Sequence, residues 1–317
     1  MENVENVKKI WKAIDDIKTV IKGKDDSLSK LMCTMLAGGH ILMEDIPGVG
    51  KTTLALAFSK ALSLEQKRMQ FTPDVLPSDV CGYHMYQQET GQFVYVPGAV
   101  MCNLFLADEI NRTSPKTQSA LLEVMEEGTV TIDGERMEVP QPFMVIATEN
   151  PVGSSGTQML PESQMDRFMV RMSIGYPNQG DEISMLKSKK ETSVDDIPST
   201  LTADEILAMK AEVDQVYVHD LIYQYTTNLV NATRKNPYLA LGVSPRGTIA
   251  VIRMASAYAY MHERDYVIPD DVAAVFGDVC CHRLILNTKA RVGNITAEDV
   301  LEQVVKSTPK PNGKAKK

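Results

Sequence analysis

Apolar residues near the amino terminus recur with the period of an α-helix. Ile10, Ile14 and Ile17 are three or four residues apart, a spacing that places side chains on one face of a helix. The pattern continues until two adjacent glycines interrupt it, because glycine is a poor helix former. It predicts helical structure over Glu2 to Ala37.

Short apolar runs then alternate with helical patterns, which is the order of an α/β protein. HILME (40–44) is a short apolar strand, and Leu54 and Phe58 mark one face of the helix that follows a glycine-bearing turn. Further buried strands are predicted at Leu104 to Ala107 and at Phe143 to Thr148, because uninterrupted apolar runs are typical of parallel strands covered on both faces. The pattern predicts a parallel sheet with helices on both faces.

Turn residues predict two hairpins and a capped helix between these strands. Residues 88–100 are predicted to form a hairpin that turns at Gly91, and TVTIDGERMEV one that turns at its Asp-Gly pair. Ser114 and the proline after it are predicted to begin a helix, which Gly128 ends.

The carboxyl-terminal half contains helical patterns only, from about Gly180 onward. Its helices are predicted to begin at a capping box at Thr202, at a Ser-Pro pair at Ser244, and at Thr296. The predicted units are an α/β domain, a smaller all-α domain and a disordered basic tail, over residues 1–178, 179–305 and 306–317.

Composition and charge limit the class of protein. The 317 residues are enough for two domains, and 44% of them are hydrophobic, as in a globular protein with a sizeable core. The net charge is −8 although the last twelve residues carry five lysines, and an acidic body argues against a nucleic-acid partner. No apolar run approaches the roughly 20 residues that span a bilayer. The polar amino terminus does not resemble a secretory signal, so we expect a cytoplasmic protein without a membrane span.

The five cysteines show no metal-binding or disulfide spacing, which indicates reduced thiols in a reducing compartment. Cys280, Cys281 and His282 are adjacent in the chain. Adjacent helical residues point in different directions and cannot easily share a metal, so we expect these side chains to pack in the core.

The segment EDIPGVGKTT resembles a phosphate-binding loop, although Asp45 stands where the usual G-x-x-x-x-G-K-[ST] pattern begins with glycine. The segment joins a predicted strand to a predicted helix, as such a loop requires. Gly48 and Gly50 supply permissive backbone positions, while Lys51 can reach the terminal phosphates and Thr52 can bind Mg²⁺. The side chain at position 45 can point away from the phosphates, so we expect a working loop without its first glycine.

Two acids and an amide follow the predicted parallel strands. Asp108 and Glu109 end one apolar run, and Asn150 follows the next. Open α/β sheets bind ligands at the carboxyl ends of their strands. We therefore predict that Asp108 holds the magnesium shell, that Glu109 polarises the attacking water and that Asn150 orients this water.

In this order, IPGVGKTT, LADEINR, ATENP and LPESQMDRF resemble the MoxR family of AAA+ ATPases, and the resemblance extends from about Ile17 to Val304. The segments ILMEDIPGVGKTTLA, LADEINRTSPKTQSALLEVMEE and GVSPR are long and specific matches. The family also has a residue other than glycine before its I-P-G. The resemblance implies an α/β P-loop (AAA+) core with a smaller all-α lid, and binding of ATP with Mg²⁺.

The resemblance also implies a role for individual residues. Arg167, in MDRF, matches the arginine finger that is offered to a neighbouring subunit's ATP, and Arg246, in SPRG, matches sensor 2. Asn150 matches sensor 1, and Asp108 and Glu109 match the Walker B pair. The residues implied in nucleotide and magnesium binding are Ile21, Gly23, Pro47, Gly48, Val49, Gly50, Lys51, Thr52, Thr53 and Asp108, with Thr52 and Asp108 on Mg²⁺.

Two residues depart from the family pattern, and two arginines keep an alternative interpretation. Lys24 replaces the usual glutamine beside the adenine, so we expect adenine contacts at Ile21 and Gly23 only. Glu149 replaces the more usual glutamine, and its charge would either slow turnover or face away from the γ-phosphate. Each proposed catalytic arginine could instead form a surface ion pair. Arg246 is predicted in the first turn of a helix, where it opposes the helix dipole, and this favours a functional role.

The resemblance implies ATP-driven, chaperone-like remodelling by a homo-oligomeric ring, with a hexamer as the expected size. It also implies a partner with a von Willebrand factor A domain, and a task in metal insertion or in the assembly of complexes. The alternatives are a magnesium-chelatase-like motor subunit, a nucleic-acid-linked AAA+ motor and a nucleotide-gated scaffold. The acidic body disfavours the nucleic-acid motor, and the intact acid pair disfavours the scaffold.

Overall fold

The computed structural model describes residues 2–46, 48–149, 160–188 and 193–311. Within them the strands are β1 (Ile41–Glu44), β2 (Gln66–Gln70), β3 (Gly82–Gln87), β4 (Gln92–Pro97), β5 (Leu104–Asp108), β6 (Thr129–Ile132), β7 (Glu135–Glu138), β8 (Met144–Glu149), β9 (Val170–Met172), β10 (Leu239–Leu241) and β11 (Ile285–Leu286). The helices are α1 (Glu2–Lys18), α2 (Asp25–Leu36), α3 (Lys51–Ala61), α4 (Pro77–Cys81), α5 (Pro115–Glu127), α6 (Glu162–Met165), α7 (Gln179–Ser188), α8 (Ala203–Val213), α9 (Asp220–Arg234), α10 (Pro245–Met261), α11 (Pro269–Cys280), α12 (Thr288–Val292) and α13 (Ala297–Ser307).

A parallel sheet of five strands forms the centre of the α/β part, in the order β2-β5-β8-β1-β9. All of its neighbouring strands run parallel. The three predicted apolar strands are confirmed as β1, β5 and β8, which are the three central strands. The sequence analysis missed the two edge strands, β2 and β9.

Side chains from the two faces of this sheet pack into separate apolar layers. On β1, Ile41 and Met43 belong to the layer that contains α1, α2 and α3, whereas Leu42 belongs to the layer that contains α5. This alternation follows from the two-residue period of a strand. Burial on both faces also explains why these strands are uninterrupted apolar runs in the sequence.

The helical structure predicted over Glu2 to Ala37 is present as two helices, α1 and α2, with a break between them that the pattern did not show. Between them Gly23 has a φ of +68°, which no helical residue adopts. The hydroxyl of Thr19 also donates to the backbone oxygen of Asp16 at 2.6 Å and closes the end of α1. The helical period was interpreted correctly, but the break that contributes to the site was missed.

Both predicted hairpins are present. The pair β3 and β4 turns before β4 at Gly91, although its first strand precedes the predicted range of 88–100. The pair β6 and β7 turns at Asp133 and Gly134, whose φ values of +52° and +85° match the expected tight turn. The helix predicted after Ser114 is α5, and Gly128 ends it in the left-handed conformation.

The carboxyl-terminal part is mainly helical, and Thr202, Ser244 and Thr296 cap α8, α10 and α13 as predicted. The all-α description needs one correction, because β10 and β11 form a short antiparallel ladder. The tail was predicted to begin at residue 306, but α13 continues to Ser307. The predicted tail from residue 312 onward lies outside the described residues.

None of the helices in the described part of the chain combines the length and the apolar character needed to cross a bilayer. The five cysteines form no disulfide. Cys280 and Cys281 are buried within an apolar layer, which is the core packing expected from the sequence.

Candidate active site

The turn between β1 and α3 has the backbone conformation of an anion-binding loop. Gly48 and Gly50 have φ values of +85° and +93°, which side-chain-bearing residues rarely adopt. A Cβ atom at either glycine would meet nothing within 4 Å, so the space beside the turn is open. The first N–H groups of α3 lie next to this space, where the helix dipole favours an anion. Pro47 lies outside the described residues.

Asp45 replaces glycine because its side chain binds another part of the protein. The residue is only 5% exposed, and its carboxylate accepts hydrogen bonds from the hydroxyl of Ser173 at 2.7 Å and from the backbone N–H groups of Ile174 at 2.6 Å and Gly175 at 3.0 Å. These three residues follow β9, the strand next to β1. The carboxylate therefore joins the ends of two neighbouring strands and leaves the anion space of the loop free.

Lys51, the first residue of α3, lies close to the acids at the end of β5. Its Nζ donates to the backbone oxygen of Asp45 at 2.9 Å. Burial lowers the pKa of Lys51, while the negative charges of Asp45, Asp108 and Glu109 act in the opposite direction. Thr52 follows it and is half-buried. The predicted phosphate lysine and the Walker B pair are therefore brought together.

Asp108 ends β5, and two side chains fix its carboxylate. Oδ1 accepts a hydrogen bond from the hydroxyl of Thr148 at 2.6 Å, and Oδ2 forms an ion pair with Arg68 at 2.7 Å. The register of β5 and β8 pairs Ala107 with Ala147, which places Asp108 next to Thr148. A carboxylate held in this way at a strand end is suited to an oxygen-seeking cation such as Mg²⁺.

Glu109 is held in an uncommon backbone conformation directly after β5. Its φ and ψ are 57° and 50°, and such left-handed residues other than glycine are concentrated at functional sites. Its N–H donates to the hydroxyl of Thr148 at 2.8 Å. Its carboxylate accepts hydrogen bonds from Gln70 at 2.8 Å and from Arg112 at 2.6 Å. Two donors on the same oxygen, Oε2, therefore orient the carboxylate of the predicted base.

Glu149 points to the opposite face of the sheet from its neighbour Thr148, because side chains alternate along a strand. The residue is 3% exposed, and one carboxylate oxygen accepts a hydrogen bond from the N–H of Leu160 at 3.4 Å. Burial raises the pKa of Glu149, and the charge of Glu44 raises it further. Of the two alternatives for Glu149, the structure supports the second. Its side chain points away from the face of the sheet on which Thr148 binds Asp108. Asn150 lies outside the described residues.

A cavity of about 700 Å³ adjoins the phosphate loop on the side of the break between α1 and α2. Its walls include Ile21, Val49, Thr53 and Tyr176. The structure thus brings Ile21 to the loop, where the family resemblance implies an adenine contact, and Gly23 turns the same segment. Apolar walls with a few polar groups are typical of sites for flat organic ligands.

Lys24 forms part of the wall of this cavity. Its Nζ donates to the backbone oxygens of Ile174 at 2.9 Å and Gly175 at 3.0 Å, and the residue is 8% exposed. Asp45 binds the N–H groups of the same two residues. The lysine that departs from the family pattern therefore fixes the backbone between β9 and the cavity.

Arg167 and Arg246 share one carboxylate, although the first belongs to the α/β part and the second to the helical part. Oε2 of Glu126 lies 3.4 Å from Nε of Arg167, and Oε1 forms an ion pair with Nη2 of Arg246. All three side chains are partly exposed. The ion pairs foreseen as alternatives for these arginines exist, and both are made with the same glutamate at the end of α5.

Glu126 lies near the amino-terminal end of β1, whereas the phosphate loop follows the carboxyl-terminal end of this strand. His40, directly before β1, is 2.9 Å from the backbone oxygen of Met125, which precedes Glu126. The backbone oxygen of His40 also accepts a hydrogen bond from the N–H of Met169 at 2.8 Å. The four residues of β1 separate this end from the loop by roughly 13 Å, at about 3.3 Å per residue. The two arginines therefore lie across the sheet from their own chain's loop.

The residues that converge at the carboxyl edge fit MgATP. The glycine turn has free space beside it, and Lys51 supplies a cation for the phosphates. Thr52 and Asp108 supply the hydroxyl and carboxylate oxygens that Mg²⁺ prefers. The neighbouring cavity has the size and wall composition for a nucleoside.

Sequence reasoning missed the side chains that hold the two acids. Arg68 and Gln70 belong to β2, which has no apolar run, and Thr148 was predicted only as part of a strand. The alternation within β2 places Arg68 and Gln70 on the same face, which is a usable signal once the strand is known. The partnership of Thr148 with Asp108 depends on the strand register, which the sequence does not show.

Comparison with known proteins gives the same architecture. Residues 40–170 match the "ATPase family associated with various cellular activities (AAA)", and residues 231–304 match an AAA lid domain. A crystal structure of a "putative ATPase" from Cytophaga hutchinsonii superposes with a TM-score of 0.91 at 34% identity. The match covers 98% of this chain and 97% of that one.

Curated relatives match nearly the full chain. It is 36% identical over 309 residues to Chaperone MoxR1 of Mycobacterium tuberculosis, which covers 95% of this chain and 82% of that protein. It is 44% identical to the uncharacterized protein YeaC of Bacillus subtilis, with 95% of both chains covered. Protein MoxR of Methylorubrum extorquens is 28% identical, with 93% of both chains covered.

Proposed function

The chain belongs to the MoxR family of AAA+ ATPases, and on that premise we propose that it hydrolyses ATP at sites shared between neighbouring subunits of a homo-oligomeric ring, a hexamer. One subunit supplies the phosphate loop and the acids, and the next supplies Arg167 and Arg246. The observation that carries this proposal is the position of both arginines across the sheet from their own loop.

Within one subunit, each residue of the phosphate loop and of the neighbouring strand ends has a defined task. Lys51 binds the terminal phosphates as a point charge, while Thr52 and Asp108 hold Mg²⁺. Bound Mg²⁺ neutralises negative charge on the phosphates. Glu109 accepts a proton from the attacking water, for which its carboxylate is already oriented. Asn150 orients the same water, as the resemblance implies.

The neighbouring subunit supplies positive charge. Within the described part of the chain, Arg167 and Arg246 share the single carboxylate of Glu126, so these three groups together carry a net positive charge. Phosphate oxygens attract such a pair, because arginine binds phosphate through several parallel hydrogen bonds. A cation delivered by a neighbour stabilises the charge of the transition state.

We also propose that hydrolysis drives chaperone-like remodelling of a protein client in the cytoplasm. The relative from Mycobacterium tuberculosis is named a chaperone, which supports this part of the proposal. A partner with a von Willebrand factor A domain, and a task in metal insertion or complex assembly, rest on the family resemblance described above.

Two substitutions at the loop edge test the ATPase. Glu109→Gln should bind ATP with nearly unchanged affinity and hydrolyse it at least about 100-fold more slowly, because an amide cannot accept the proton of the water. Lys51→Ala should lose ATP affinity instead. Calorimetry with MgATP and phosphate release measure the two effects, with Glu302→Gln on the exposed face of α13 as the control. Normal turnover in Glu109→Gln, or normal affinity in Lys51→Ala, would contradict the assignment.

A further inference from the structure

A buried arginine of the helical part, Arg283, contacts the segment that carries the arginine finger. Its side chain is 2% exposed, and its Nε donates to the carboxylate of Asp166 at 2.7 Å. Its Nη atoms donate to the backbone oxygens of Asp166 at 3.0 Å, Phe168 at 2.7 Å and Met169 at 3.2 Å. A planar guanidinium presents five N–H donors on three nitrogen atoms in a fixed fork, whereas an ammonium group presents three donors on a single nitrogen atom.

The same carboxylate also binds the start of α10, which carries the second arginine. The hydroxyl of Ser244 donates to Asp166 at 2.9 Å, and its oxygen caps α10 by accepting the N–H of Gly247 at 3.1 Å. A Cβ atom on Gly247 would lie 2.8 Å from the side chain of Arg283, so α10 packs directly against it. Arg246, in the first turn of α10, is therefore fixed relative to the finger segment.

We propose that Arg283 is a positioning residue for the active site of the neighbouring subunit. Acting through Asp166 and Ser244, it holds Arg167 and Arg246 as one unit with a fixed separation. This inference rests on the proposed function, because it takes both arginines to serve the neighbour's ATP. Placement matters for catalysis, since a displacement of about 1 Å can cost on the order of 100-fold in rate.

A second ion pair in the helical part provides a matched control. Arg264 binds the buried carboxylate of Asp271 through two hydrogen bonds of 2.5 Å. Like the pair of Arg283 and Asp166, it joins a guanidinium to a carboxylate, but Arg264 contacts neither Arg167 nor Arg246. If Arg283 had only a structural role, its substitution would lower the stability, as that of Arg264 does, and would leave ATP turnover unchanged.

The test is therefore a comparison of Arg283→Lys with Arg264→Lys. Lysine keeps a positive charge beside Asp166 but cannot reach the several backbone oxygens. Arg283→Lys should bind ATP within about 2-fold of the unchanged protein and turn it over at least about 10-fold more slowly. Mixing it with Lys51→Ala subunits should restore part of the turnover, because these subunits offer intact arginines to its loop. Arg264→Lys should keep the turnover of the unchanged protein.

Normal turnover in Arg283→Lys overturns the inference, and so does a mixture with Lys51→Ala that co-assembles and turns ATP over no faster than Arg283→Lys alone. If Arg283→Lys does not fold, Asp166→Asn decides in the same two assays, because its amide still accepts from Ser244 but loses the ion pair. A reference mixture of Lys51→Ala with Arg167→Ala distinguishes a failure of the shared active site from a failure of the role assigned to Arg283. If this reference mixture recovers activity and the Arg283→Lys mixture does not, only the role of Arg283 falls. If the reference mixture also stays inactive, the shared site and the inference fall together.

Discussion

Two charged residues beside the phosphate loop hold the backbone of the neighbouring segment after β9. Asp45 binds the N–H groups of Ile174 and Gly175, and Lys24 binds their carbonyl oxygens. Both residues depart from a sequence pattern, and the sequence analysis expected only that Asp45 could point away. It could not foresee their common target, because the partners are far away in the chain.

Glu149→Gln should raise the melting temperature at about pH 8. Burial raises the pKa of Glu149, so the folded protein binds the proton more tightly than the unfolded chain and the charged form costs stability. The gain should be largest above the folded-state pKa and should disappear as the pH falls through it. A change on the order of 1 kcal/mol corresponds to about 1.5 °C for 317 residues, since the entropy of unfolding is about 2.1 cal/mol/K per residue.

Thermal unfolding at about pH 8 and about pH 5 measures this difference. Glu302→Gln, at an exposed glutamate of α13, is the control and should show no such pH dependence. A variant of Glu149 that melts lower than the unchanged protein at the higher pH would show that the carboxylate is stabilising.

Among the elements, burial decided which ones the sequence predicted. The central strands β1, β5 and β8 are covered on both faces and appear as apolar runs. The edge strand β2 is polar and partly exposed, and β9 has three residues, so neither gives a strong pattern. Two of the missed partners, Arg68 and Gln70, lie on the missed strand β2, and a third, Ser173, directly follows β9.

The break between α1 and α2 was missed for a different reason. The helical period continues across it through Ile21, so the pattern shows no interruption, and only Gly23 marks the change. The segment after β9 and this break both line one cavity. The cavity beside the phosphate loop therefore depends on the segments that were hardest to predict.

Asp45→Ala should loosen the connection between β1 and the segment after β9. The N–H groups of Ile174 and Gly175 would lose their acceptor, which costs about 1–3 kcal/mol for a buried group. ATP affinity should fall as well, because Ile174 and Tyr176 line the cavity. Thermal unfolding and calorimetry measure the two effects.

Ser173→Ala is the matched control, because it removes one donor to the same carboxylate and leaves both N–H bonds in place. It should have the smaller effect in both assays. If Asp45→Ala matches the unchanged protein in stability and ATP affinity, the carboxylate does not organise this wall.

At the scale of the whole molecule, the sequence identified the motifs but not their arrangement. The order of the motifs resembled a family, and the comparisons confirm that family and its fold. The contact of Arg167 and Arg246 through Glu126 depends on how the helical part packs on the α/β part. No local pattern encodes this packing. Its contacts, such as the ion pair of Arg283 with Asp166, join residues that are separated in the sequence by most of the helical part.

Mixing two inactive variants tests the shared active site most directly. Arg167→Ala should bind ATP normally and hydrolyse it about 1,000-fold more slowly, as expected for the loss of a cation supplied by a neighbour. Lys51→Ala should not bind ATP. Rings that contain both should recover part of the activity, because Arg167→Ala subunits keep the loop and Lys51→Ala subunits keep the arginine. If size-exclusion chromatography shows that the two variants co-assemble and the mixture remains inactive, the site is not shared between subunits.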